Sequence, residues 1–146
     1  MAIRISVDID APLDRVWDEA ADLASHVEWM RDADRIDFEG EQRTGVGTTM
    51  NVLTKIGPLA TTDVIEITSW VDGTEIGVVH RGVVTGTGRF LLEELGPNQT
   101  RFTWEEQLDL PWYFGGNLGR PISGRVLQAV WRGNLERLKA RVERAG

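Results

Sequence analysis

The side chains with most to offer chemically are a histidine and a glutamate on two different alternating stretches. His80 follows Ile76 and Val78 on one face of its stretch, and Glu106 lies with Phe102, Trp104 and Leu108 on the apolar face of another. A carboxyl turned into apolar surroundings holds its proton more tightly than in water and can act as a general acid or base. Facing each other across a pocket, His80 and Glu106 would form an acid–base couple able to serve an aldol cyclisation or a dehydration. Two structural alternatives stand beside that reading. A lone inward histidine is more often a hydrogen-bonded core residue than a catalyst. A bulge would turn Glu106 outward and bring its neighbour Glu105 in, because strand side chains alternate with a period of two.

Around these two groups sits an aromatic set. The chain of 146 residues carries six tryptophans, enough to line a binding site as well as to fill a core. Trp17, Trp29, Trp104 and Trp131 fall on faces expected to look inward, as do Met50, Phe90 and Leu108. As a set around a cavity they favour a flat or apolar ligand; singly, each serves as core filler. Trp112 and Phe114 belong to an aromatic run just before Gly115-Gly116. That arrangement reads as a cavity lid on a glycine hinge, or as a plug anchoring the start of the last helix. Asn134, on the apolar stripe of that helix, would offer its amide to a ligand carbonyl.

Other chemistries find no support. The chain has no cysteine and two histidines far apart, which excludes disulfides and thiolate metal sites and argues against a zinc site. Gly45-x-Gly47 and Gly86-x-Gly88 lie in or at strands and open no helix, so they are not phosphate loops. No cofactor is expected. The net charge of −7 argues against a phosphate-backbone partner. Twelve acidic residues face three basic ones between Asp8 and Glu41, whereas seven basic face two acidic between Arg120 and Gly146. The two regions are expected either to attract each other in the fold or to be solvated, with a basic membrane- or RNA-binding helix as the sharper alternative. No apolar run reaches the ~20 residues of a bilayer span, and the first ten residues lack a signal-peptide core. A cytoplasmic location is expected, with a small hydrophobic molecule as partner and no stable membrane insertion; no feature specifies an oligomeric state.

The elements that must position these residues follow from periodicity. Ile3, Ile5, Val7 and Ile9 alternate as a half-buried strand. Pro12 suits a first helical position, and Leu13, Val16, Trp17 and Ala20 follow at helical spacing. A second short helical piece is expected over Leu23 to Arg31. Six strands then succeed one another: around Ile36–Phe38, over Val46–Ile56, Thr61–Trp70, Thr74–Arg81, Thr85–Leu95 and Thr100–Leu110, with turns at Gly57-Pro58, Asp72-Gly73 and Gly96-Pro97. Short turns between consecutive strands mean an antiparallel meander. From Ile122, apolar residues step by threes and fours through Leu127, Trp131, Leu135 and Val142 in one long amphipathic helix. Gly133, inside it, either admits a close neighbour or is a tolerated weak spot. A long helix after a run of strands needs a sheet to lie on, which makes the class α+β and residues 1–146 one domain.

Three stretches carry a family likeness. IDAPLDRVWDEAADL (Ile9 to Leu23), HVEWMRDADRIDF (His26 to Phe38) and NLERLKARVE (Asn134 to Glu143) resemble the strand-to-helix segment, the second short helix and the terminal helix of the START and Bet v 1-like superfamily. Within it, the chain is similar to the polyketide cyclase/dehydrase and lipid-transport group. The resemblance implies a helix-grip fold: a curved antiparallel sheet of about seven strands wrapped around a long C-terminal helix, with two short helices after the first strand and a cavity between sheet and helix. It implies binding or carriage of a lipid or polyketide-like molecule there. The alternatives are a cyclase or dehydratase working through His80 and Glu106, or a protein-interaction module of regulatory or toxin–antitoxin type. A buried, mutually close His80 and Glu106 would favour the enzyme; a filled core without a cavity would favour the interaction module.

Overall fold

The computed structural model of the chain describes residues 2–57, 59–109 and 124–145. Strand β1 (Ala2–Ile9) buries Ile3, Ile5 and Ile9 while the intervening residues face out, as alternation requires. Helix α1 (Leu13–Ala21) begins one residue later than its proline suggests. Pro12 is the extended residue before the first turn, with φ −61° and ψ 151°. The short helix that follows is a 3₁₀ segment over Leu23–Glu28, shorter than expected. It closes early because both Trp29 and Met30 donate their N–H to the His26 carbonyl, turning the chain so that Trp29 becomes buried.

The six consecutive strands are β2 (Ala33–Phe38), β3 (Thr49–Ile56), β4 (Leu59–Val71), β5 (Glu75–Arg81), β6 (Thr85–Gly96) and β7 (Gln99–Asp109). β3 starts three residues after Val46 because Gly45 and Gly47 adopt positive φ, 83° and 95°, a left-handed conformation that breaks an extended run. β4 and β5 are joined through Asp72, Gly73 and Thr74, where Gly73 takes φ 77° and Thr74 N–H closes on the Val71 carbonyl. The sheet order is β1-β7-β6-β5-β4-β3-β2. The first strand therefore pairs with the last, Ile5 opposite Trp104, and every pairing is antiparallel. A bulge between Ile67 and Ser69 in β4 resets the alternation, so that Trp70 lies opposite Ile76 and meets Trp17 edge-on at 5.5 Å.

Helix α2 (Gly124–Ala145) lies in the sheet's concavity and buries Leu127, Trp131, Leu135, Leu138 and Val142. The seven-stranded curled sheet gripping this helix is a helix-grip fold. Two apolar clusters result. One joins β1, β6, β7, α1 and α2 around Trp29, Phe90, Phe102 and Trp104. The other lies toward β2–β5 around Met50, Val52, Ile67 and Ile76. The acidic start and basic end of the chain do meet: Arg141 pairs with Glu19, and Lys139 donates to the Asp8 backbone carbonyl. Among the described residues, the atoms nearest a Cβ added at Gly133 belong to the guanidinium of Arg137 on the next turn, so no described strand closes on that glycine.

Candidate functional site

A strongly curved sheet and a straight helix part company along their length, and here they leave a partly open cavity of about 180 Å³. An apolar cavity of roughly 150 Å³ holds benzene, so this one has room for one or two fused rings. Met50, Val52, Ile65, Ile67, Ile76 and Val78 form an aliphatic wall. Phe90, Trp104 and Leu108 continue the wall along β6 and β7, and Trp131 reaches it from α2, with the indoles of Trp104 and Trp131 stacked at 4.8 Å and 19°.

His80 and Glu106 both line this cavity. No register shift occurs in β7 near Glu106, so the alternation holds and the side chain stays inside, 6% exposed. His80 Nε2 lies 2.9 Å from Glu106 Oε2, and Trp104 Nε1–H donates to the other carboxylate oxygen at 2.9 Å. The glutamate is thus held at both oxygens. Burial pulls the His80 imidazole down, but the hydrogen bond to Glu106 and the charges of Glu106 and Asp63 together outweigh it. The pKa ends above the ordinary histidine value of 6.5.

Met50, Phe90, Leu108, Trp104 and Trp131 also reach the cavity wall, whereas three other candidate residues do not. Trp17 packs edge-on against Trp70. Trp29 is 1% exposed within the aromatic cluster of Phe90, Phe102 and Trp104. Asn134 has its amide committed elsewhere: Nδ2 donates to Asp32 at 2.6 Å, and Oδ1 accepts from the Arg31 backbone at 3.1 Å and from Arg137 at 2.5 Å. The expectation that it would serve a ligand carbonyl is corrected. A buried carboxylate needs donors, and Asn134 with Trp131, whose Nε1–H donates to Asp32 at 3.1 Å, supplies them. Trp112 and Phe114 lie outside the described residues.

Among the polar groups on the wall that went unrecognised in the sequence are His26, Asp32 and Asp63. His26 is buried in a neutral state, its pKa pushed to about 4 by burial, with the Ala20 carbonyl and Asp22 opposing only in part. Its Nε2–H must be the donor to the Ala20 carbonyl at 2.8 Å, which makes Nδ1 an acceptor. Asp63 is buried in mid-sheet, accepting from Val83 N–H at 2.7 Å, Val84 N–H at 3.3 Å and Thr61 Oγ1 at 3.0 Å. Aspartate is depleted in strands, and its place in the inward series Thr61, Asp63, Ile65, Ile67 was the available signal. Among the described residues no group of three or more His, Cys, Asp or Glu could hold a metal ion, and no helix is long and apolar enough to cross a membrane.

A curled sheet gripping a long helix over a largely apolar cavity, with His80 and Glu106 hydrogen-bonded on its wall, defines a START-like helix-grip fold. The chain belongs to the polyketide cyclase/dehydrase and lipid transport family, which matches residues 2–143. No curated protein matches the sequence. Among solved structures, a Thermus thermophilus protein is similar over 100% of this chain and 99% of its own, at 19% identity and TM-score 0.84. An aromatase/cyclase from a Streptomyces species is 15% identical with TM-score 0.76, covering 99% of this chain and 94% of its own. A START superfamily protein from Mycobacterium smegmatis is 13% identical with TM-score 0.72, covering 99% of both chains. At these identities the likeness is one of fold.

Proposed function

We propose that the chain binds a neutral, ring-containing ligand of one or two fused rings between sheet and helix, and acts on it by general acid–base catalysis of the cyclase or dehydratase kind. The observation that carries this reading is the His80–Glu106 pair, a half-buried imidazole 2.9 Å from a buried carboxylate on the wall of an otherwise largely apolar cavity. Burial makes a fixed proton donor far more effective than in water. With Nε2 engaged by Glu106, Nδ1 is the nitrogen through which His80 meets a ligand. In a dehydration, a ligand hydroxyl takes the Nδ1 proton as its C–O bond breaks and leaves as water. The neighbouring C–H gives its electron pair to the new C=C bond and its proton to the vacated Nδ1, so His80 ends as it began. Glu106, held by Trp104, keeps the imidazolium charge compensated throughout. The aromatase/cyclase among the structural neighbours and the family membership agree with this class of chemistry.

The aliphatic wall of Met50, Val52, Ile65 and Ile67 favours a second reading, carriage of an apolar molecule without turnover. One experiment separates them. The protein as purified from cells is examined by native mass spectrometry for a bound small molecule. It is then given 3-hydroxy-1-tetralone, a two-ring β-hydroxy ketone whose loss of water yields 1-naphthol. Naphthol formation above the buffer rate, lost in Glu106→Gln, supports the enzyme. A stoichiometric adduct, with binding but no naphthol from either protein, supports the carrier. No adduct and no binding would sink both.

A further inference from the structure

His80 sits on β5 and Glu106 on β7, with β6 between them. Neighbouring strands are about 4.8 Å apart, so the two side chains must meet across about 10 Å of sheet. They do so by lying over a strip of β6 that carries no side chains. Gly86 is paired with His80 on one side and Leu108 on the other; Gly88 is paired with Val78 and with Glu106. A Cβ on Gly88 would stand 2.5 Å from the Glu106 carboxyl carbon, far inside van der Waals contact. The Gly86-Thr87-Gly88 run has no phosphate to cradle; its bare inner face is occupied by a carboxylate. The same device recurs on the other side of His80. A Cβ on Gly82 would lie 3.1 Å from the Asp63 Cα and on top of its carboxylate, which crosses that glycine to reach the Val83 and Val84 N–H groups.

We infer that Gly88 and Gly82 are positioning residues for His80: each is a side-chain-free seat for one of the two carboxylates, Glu106 and Asp63, that line the cavity with the imidazole from β7 and β4. Asp63 thereby joins the site as a second, backbone-anchored anion. Of the other ionisable groups described around the cavity, Arg89 pairs with Glu75 and Glu105, Arg81 on the neighbouring position of β5 pairs with Glu66, Asp32 accepts from Asn134 and Trp131, and His26 is bonded to the Ala20 carbonyl. The inference rests on the acid–base reading of His80 and Glu106 and adds what holds the pair in place.

The two glycines differ in what they tolerate. Gly82 has φ 147°, a region that other residues rarely adopt, so its replacement disturbs the backbone as well. Gly88 does not have positive φ, and the atoms an added Cβ meets are the far end of a flexible side chain. Gly88→Ala is therefore expected to keep the fold and displace only the carboxylate.

The test is an NMR pH titration of the His80 ring in the ligand-free protein, read beside thermal unfolding. Glu106→Gln lowers the His80 pKa, since the raising partner is gone. Gly88→Ala is expected to reproduce most of that drop while still unfolding cooperatively, at a melting temperature lowered by no more than that of Glu106→Gln, and Asp63→Asn a smaller drop. If Gly88→Ala proves unstable, Glu106→Asp, one methylene too short to cross β6, is expected to give the same drop. A folded Gly88→Ala with the wild-type His80 pKa would overturn the Gly88 assignment, and an unmoved His80 in folded Asp63→Asn would overturn that of Gly82. If Glu106→Gln itself leaves His80 unmoved, the acid–base pair fails first.

Discussion

His26 makes a sharp prediction about stability, because it is a histidine folded in its neutral form. Its pKa stands at about 4 in the folded protein against 6.5 ordinarily. Between those values the unfolded chain binds a proton that the folded one refuses, so stability falls as pH falls through this window. A full pKa unit of difference is worth about 1.4 kcal/mol. Integrating between pH 6 and pH 5, the folded protein should lose about 1 kcal/mol, or roughly 3 °C in melting temperature for a chain of this size. His80 has the opposite sign. Its raised pKa gives a contribution fully present below pH 6.5 and lost as pH rises through its folded value, so it adds little slope below pH 6. The carboxylates with resolved shifts, Asp8 and Glu143, are lowered from 3.8 and 4.5, so in the folded protein both lie below the pH 5–6 interval. The assay is urea unfolding at pH 6.0, 5.5 and 5.0 on the wild type and on His26→Gln, whose amide can still donate to the Ala20 carbonyl. The wild-type slope should shrink sharply in the variant. Parallel lines for the two proteins would mean that His26 is not buried neutral, and the reasoning would fail.

Three further outcomes follow from particular contacts. Asn134→Ala takes a donor from the buried Asp32 and the acceptor from the part-buried Arg31 N–H, and should cost about 2–3 kcal/mol in denaturant unfolding. Trp104→Phe keeps most of the stacking area on Trp131 but removes the Nε1–H donor to Glu106; a loss of about 1–2 kcal/mol is expected at neutral pH. Gly133→Ala should raise the melting temperature, because helix propensity gains up to about 1 kcal/mol and only the flexible tip of Arg137 must yield, by a few tenths of an ångström from 3.3 Å.

The elements of this fold are legible in the sequence because they are local. Alternation placed Ile3, Ile5 and Ile9 on one face, and Asp72-Gly73 marked its turn. The threes-and-fours stripe of Leu127, Trp131, Leu135 and Val142 declared the last helix. The same alternation put His80 and Glu106 on inward faces, since a period of two assigns a face to each residue of an unbulged strand. What it does not assign is a neighbour. That β1 closes onto β7, that His80 and Glu106 are separated by one strand, and that this strand offers glycine where they must cross were decided by the order of strands in the sheet. So were the uses of the polar groups. Asn134 reads as a cavity residue by its place on the helix stripe, yet Asp32, distant in sequence, takes its amide. Trp17 and Trp29 look inward as expected, but their inward direction leads to other aromatic rings. Faces follow from covalent geometry and sterics a few residues long; partners follow from which segments, far apart in the chain, the sheet and its gripped helix bring together.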